Sequence, residues 1–270
     1  MYGSRTDLAA EDLPRGGGEL PGVKSETYER DGFQIADVQI LDQAGGDILC
    51  KPPGRYMTID LDSFFRRDED AFLKAVELLA DCMRQLLPLT DQDSILVAGL
   101  GNPAITPDAV GPEAARFTLA TRHLKQLPEE FAAFRPVSVC QTGVLGTTGI
   151  ESSELVRAIL SSLSPTAVVV VDALAARDSE KLCRTVQLTD SGIVPGSGVG
   201  NNRAELSRRV LGVPVMAVGV PTVVDAGDGL IVTPREVDKY IKDAGKLIAY
   251  ALNLTFHPGL TVADVDMFAG

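Results

Sequence analysis

Residues 168–177 read VVVVDALAAR, four valines that run straight into an aspartate. Valine is stiff at χ1 and suits a pleated surface, and an unbroken apolar run is what a strand covered on both faces requires. A buried strand that delivers a carboxylate is unusual. An earlier stretch, ILVAGLGNPAITPDAVGP at 95–112, does the same, passing through glycines to Asp108. In open parallel α/β sheets, ligands gather where strands hand over to loops. Asp108 and Asp172 are therefore candidates for one catalytic pair. A third exit, GVPTVVDAGDG at 219–229, adds Asp225.

Working outward, the apolar periods predict strands at 33–41, 56–61, 94–100, 136–141, 167–172, 184–190 and 214–219. They predict helices at 68–87, 111–126, 151–163 and 203–210, and a last helix opened by a capping box at Thr233, Pro234 and Glu236. The first two strands are expected to form a hairpin across AGGD (44–47). Alternating strands and helices predict a three-layer α/β fold, a mostly parallel or mixed central sheet with helices on both faces. Residues 1–25, with Pro14, Gly16, Gly17, Gly18, Pro21 and Gly22, are expected to be a flexible arm, and 26–270 a single domain.

Composition narrows the chemistry. The net charge of −12, with no basic run to offset it, argues against direct nucleic-acid binding. No stretch reaches the roughly 18 apolar residues of a membrane span, so no membrane contact and a cytoplasmic location are expected. Cys50, Cys82, Cys140 and Cys183 are too scattered for a zinc pattern and are expected to be free thiols. Gly99, Gly101 and Ala104 fit a nucleotide-binding G-x-G-x-x-A, but Pro103 and Pro107 interrupt the place where its helix would begin. The second glycine-rich loop, PGSGVGNNR at 195–203, lacks the lysine of a P-loop.

Only two histidines exist, His123 and His257, and no nucleophile elbow appears. The carboxylates remain. Asp108 precedes a helix and could equally cap it; Asp172 at a buried strand end could equally be a hydrogen-bond anchor. If the two share a cleft, repulsion holds one protonated and one ionised, which suits water-activating hydrolysis without a cofactor or metal. A nucleoside phosphorylase-like or nucleotide-binding protein is the alternative, with Arg177 and Arg203 as phosphate ligands. A catalytically silent scaffold is a third reading. A metal-dependent variant would turn His123 inward to join Asp108 and Asp172.

RTDLA (5–9), GLGNPAITPDAVGP (99–112), GTTGIESSE (146–154), VVVDALAAR (169–177), PGSGVGNNR (195–203), LGVPVMAVGVPTVVDA (211–226) and VTPREVD (232–238) together resemble the germination protease family. The resemblance is collinear over nearly the whole chain. It implies a spore endopeptidase that degrades small acid-soluble spore proteins at germination, an atypical aspartic peptidase similar in fold to hydrogenase maturation proteases. By the same resemblance Asp108 and Asp172 are the catalytic aspartates. It also implies a zymogen that removes propeptide 1–7 by a cut between Asp7 and Leu8, a homotetramer, and a spore-core location. Gly198, Gly200, Asn201 and Asp225 are candidate substrate-binding residues on the loops PGSGVGN (195–201) and GVPTVVDA (219–226). The family's longer members carry an insert where only Gly227–Val232 stands here.

Overall fold

The computed structural model describes residues 6–14, 19–66, 70–126, 134–201, 203–227 and 230–269. One nine-stranded sheet runs in the order β1 (Val23–Arg30), β2 (Phe33–Ile40), β3 (Gly54–Asp60), β7 (Thr185–Thr189), β8 (Val215–Gly227), β6 (Ala167–Ala176), β4 (Ile95–Leu100) and β5 (Val137–Gly143), with β9 (Leu230–Val232) paired to β8. β5, β4, β6 and β8 are mutually parallel; β1, β2, β3 and β7 add an antiparallel half. The sheet is mixed, and helices cover both faces as the element order predicts.

The valine run of β6 shows why. Successive side chains point to opposite faces of a sheet. Val169 and Val171 enter the core shared with α3 (Ala71–Leu86), α4 (Val110–Phe117) and α8 (Val237–Phe256); Val168 and Val170 enter the core on the other side, under α6 (Ser152–Leu163). All four are fully buried.

Several expectations are corrected. β2 and β3 do pair, but AGGD lies within helix α1 (Gln43–Leu49), capped by the Asp42 side chain, and β2 makes its tight hairpin with β1. The helix expected over 111–126 ends at Phe117. The wholly buried Asn253 of α8 accepts from Leu119 N and donates to the Phe117 carbonyl, so it satisfies the groups that another turn would have used. At 203–210 only α7 (Arg208–Leu211) is helical, because Leu206 bridges to Ile193 instead. The capping box at Thr233 does not form; α8 starts at Val237 and the Thr233 hydroxyl donates to Thr222 O. Part of the supposed arm is packed: Leu8 and Ala9 are buried, and Ala9–Asp12 forms a 3-10 turn. Among the described residues no helix is long and apolar enough to cross a membrane.

His257, just past α8, is buried beside Arg135 and stacks edge-on against Phe134. Neither ring nitrogen has a hydrogen-bond partner among the described residues. Burial, with the nearby Arg135 charge, pushes its pKa down to about 4. The unfolded chain takes up this proton near pH 6.5, whereas the fold resists until about 4. Stability is therefore lost as pH falls through that window, at about 1.4 kcal/mol per pH unit. His257→Phe should flatten the fall in urea midpoint between pH 6.5 and pH 4.5. Equal slopes for the two proteins would refute the assignment.

Candidate active site

The sheet opens where β4 stops. Its last parallel pair with β6 is Gly99 with Val171, yet β6 continues to Ala176 along β8. Asp172 is thus mid-strand rather than terminal, and it is the first residue of β6 whose edge toward β4 is uncovered. The answer to the buried carboxylate lies there: the strand stays covered while its neighbour ends.

Asp108 reaches this notch because the chain leaving β4 doubles back. Gly101 has φ +110, and a Cβ on it would stand 1.9 Å from the Asp108 carbonyl oxygen. A Cβ on Gly111 would stand 2.2 Å from Leu100 O and 2.5 Å from Val171 O, so the first turn of α4 lies directly on the strand ends. The glycines that imitate a nucleotide motif serve this close approach. Asp108 does not cap α4, whose N-cap is Ala109 without a side-chain bond. Its Oδ2 instead accepts from Asn102 N at 2.8 Å. Replacing Gly101 by alanine combines a disfavoured φ with a backbone clash. It should displace Asp108 and lower activity at least tenfold while also lowering Tm; wild-type kinetics in a folded Gly101→Ala protein would contradict this.

Both carboxyls are pushed above their ordinary range. Asp172 is 6% exposed, and its pKa is raised well above 3.8 by burial first and by the Asp108 charge second. The bond from Ala173 N to its Oδ1, at 2.9 Å, opposes the rise, and the Asp7 charge adds to it. Asp108 is raised by burial, opposed by the Asn102 amide. Burial thus favours the neutral form of both carboxyls, and at Asp172 the Asp108 charge adds to that effect.

A third carboxylate comes from the far end of the chain. Asp7 lies along the open edge of β6: its N donates to Ala175 O at 2.9 Å, and its Oδ2 accepts from Ala175 N at 2.8 Å. Its Oδ1 accepts from the Ser197 hydroxyl at 2.6 Å. Leu8 is buried with Leu174, Ala176 and Leu182. Gln187 of β7 donates from Nε2 to Asp7 O at 2.9 Å and accepts at Oε1 from Ala9 N at 2.8 Å. Glu11 accepts from the amides of Arg177 and Asp178, and Asp12 pairs with Lys51 and Arg177. A cavity of about 540 Å³ runs beside this segment, bounded by Asp7, Leu174, Gln187, Ser197 and Gly219.

The other candidates are dispersed. Gly198 belongs here, since a Cβ on it would stand 2.2 Å from Asp7 Oδ2. Gly200 and exposed Asn201 form the neighbouring turn, closed by Asn201 N to Gly196 O. Asp225 caps Gly227 N at the β8–β9 hairpin. His123 is exposed in the 3-10 turn Arg122–Gln126 and does not join the aspartates. Among the described residues no three metal-ligating side chains converge. Arg203 pairs with Glu151 and Arg177 with Asp12, so they form no phosphate cluster. Ser197 and Gln187 escaped the sequence reading. The one signal for Gln187 was a polar side chain inside the apolar strand TVQLT (185–189).

A family model described as Germination protease matches residues 6–228. The chain belongs to the germination protease family. This is the family its motifs resemble, and it is one of peptidases. The chain is 34% identical to the germination protease of Clostridium perfringens (strain ATCC 13124) over 99% of both. It is 36% identical to that of Caldanaerobacter subterraneus subsp. tengcongensis over 98% of both. The Bacillus cereus (strain B4264) germination protease is 40% identical over 91% of this chain and 69% of its own length. Among solved structures, the [NiFe] hydrogenase maturation protease HycI from Thermococcus kodakarensis aligns at 20% identity and TM-score 0.39, over 65% of this chain and 98% of its own. The E. coli hydrogenase maturating endopeptidase HybD aligns at 18% identity and TM-score 0.31, over 59% and 91%.

Proposed function

We propose that this germination protease family member is an aspartic-type endopeptidase that starts the degradation of small acid-soluble spore proteins in the germinating spore, with Asp108 and Asp172 sharing the catalytic water. The observation that supports the reading is the notch beyond β4, where Asp172, buried and of raised pKa, lies within electrostatic reach of Asp108, also of raised pKa. Ionised Asp108 takes a proton from water as the oxygen adds to the scissile carbonyl carbon. Protonated Asp172 then gives its proton to the leaving nitrogen as the C–N bond breaks. The products are a carboxylic acid and an amine, the acid passing its proton to the amine or to solvent, and one proton has crossed from Asp108 to Asp172 by the next turnover. No metal or cofactor enters this scheme.

The chain is a zymogen in this reading, cut between Asp7 and Leu8 and working as a homotetramer in the spore core. The anchoring of residues 6–12 along the open edge of β6 supports the first part, because the bond to be cut already lies beside the carboxyl pair's strand. Incubating the purified chain with a small acid-soluble spore protein tests the proposal. Discrete endoproteolytic fragments are expected, along with a mass change in the chain that corresponds to loss of residues 1–7. An intact substrate under conditions where the chain is folded would rule the activity out.

A further inference from the structure

We infer that Gln187 is a catalytic residue of this peptidase: its side-chain amide grips the peptide main chain on both sides of the bond to be cut and polarises the scissile carbonyl. The inference rests on the Asp7–Leu8 cut proposed above. Gln187 Nε2 donates to the carbonyl oxygen of Asp7, the oxygen that would carry negative charge after water adds, at 2.9 Å. Its Oε1 accepts from the N–H of Ala9 at 2.8 Å. Both bonds go to main-chain atoms, so any peptide of extended form laid along this path could make them. The side chain that lies between the two bonds, Leu8, is buried among apolar residues and takes no part.

The sheet register puts this grip level with the carboxyl pair. Asp172 of β6 pairs with Gly219 of β8, and Gly219 pairs with Gln187 of β7. Directly paired residues project from the same face, so Asp172 and Gln187 stand on one face, two strand spacings or about 10 Å apart at the backbone. Gly219 between them offers no side chain. Leu174 rests in that gap, its atoms 2.4 to 2.8 Å from where a Gly219 Cβ would stand, and it would have to swing aside for the carbonyl to approach the aspartates. A polar residue 5% exposed in the middle of a sheet also needs a reason. Among the described residues both polar atoms of Gln187 are occupied by residues 7 and 9, which no packing requirement of the strand explains.

An amide N–H aimed at the developing oxyanion stabilises it more than the ground-state carbonyl, and removing one such donor typically lowers kcat roughly 10²–10³-fold. Gln187 exchanges no proton in the step; it only donates. Gln187→Glu keeps the size and the acceptor for Ala9 N but loses the donor, and Gln187→Met keeps the shape and loses both. The readouts are self-cutting of the full chain by intact mass, and kcat and KM for a synthetic peptide of residues 3–14, GSRTDLAAEDLP. Both variants should melt as cooperatively as wild type and show kcat lower by about 100-fold or more. KM should rise least in Gln187→Glu. Unchanged kcat with only KM raised would reduce Gln187 to a docking residue and overturn the inference. Asp172→Asn, assayed beside them, separates the two ideas. If it is silent while Gln187→Glu cuts normally, the carbonyl donor is wrong and the aspartate pair stands; if it is active, the pair is wrong whatever Gln187 does.

Discussion

Asn in place of either Asp108 or Asp172 should abolish cleavage of both the spore-protein substrate and the chain's own Asp7–Leu8 bond, a loss of roughly 10²–10⁴-fold for removing one positioned acid or base. The two variants should differ in stability. Asp172 is held above its ordinary pKa, mainly by burial and then by Asp108. The folded state therefore keeps a proton that the unfolded chain releases near pH 4. By linkage, folding stability contributed by this group is fully present below that pH and declines as pH rises toward the raised folded value. Asp172→Asn removes the titration while retaining an acceptor for Ala173 N. Its Tm at neutral pH should exceed wild type, by roughly 2–4 °C for each kcal/mol recovered. Asp108→Asn should also relieve Asp172 of its charged neighbour. An inactive Asp172→Asn with depressed Tm would mean the carboxylate is a structural anchor, and the catalytic assignment would fall.

Substitution of Gly198 by valine should expel the N-terminal segment. Gly198 sits between Gly196 and Gly200, both of positive φ, but its own φ is not in that region, so its backbone can accept a side chain. The objection is steric: a Cβ there would stand 2.2 Å from Asp7 Oδ2 and 2.6 Å from the Ala175 Cβ. Asp7 would lose its bonds to Ser197 and Ala175, and Leu8 would leave its pocket, forgoing the roughly 1.5–3 kcal/mol that burying such a side chain contributes. Hydrogen exchange should accelerate at Ala9 N and Ala175 N, and self-cutting should fall at least 100-fold, because the bond is no longer presented. Protection at those amides equal to wild type would show that the loop yields to the side chain instead.

The strands and long helices were legible because their information is local. The valine run, the three-and-four spacing of α3 and the continuous apolar β4 each state a period that no distant contact needs to complete. Element ends were less legible. α4 stops at Phe117 because Asn253, more than a hundred residues away, takes its backbone groups. Asp172 was expected at the end of its own strand, whereas it lies where β4 ends and β6 continues, within electrostatic reach of Asp108.

The sequence by itself determined the α/β class and the peptidase family, since repeating apolar patterns and long collinear motifs are properties of the chain read in order. Only the tertiary structure decided which groups gather around Asp108 and Asp172. Asp7 meets Ala175 and Ser197 across 168 and 190 positions, and Gln187 meets residues 7 and 9 across comparable gaps. Contacts of that kind leave no periodic trace. They exist because β6 outruns β4 and leaves unpaired main-chain groups, which a buried edge must satisfy, and the N-terminal segment satisfies them.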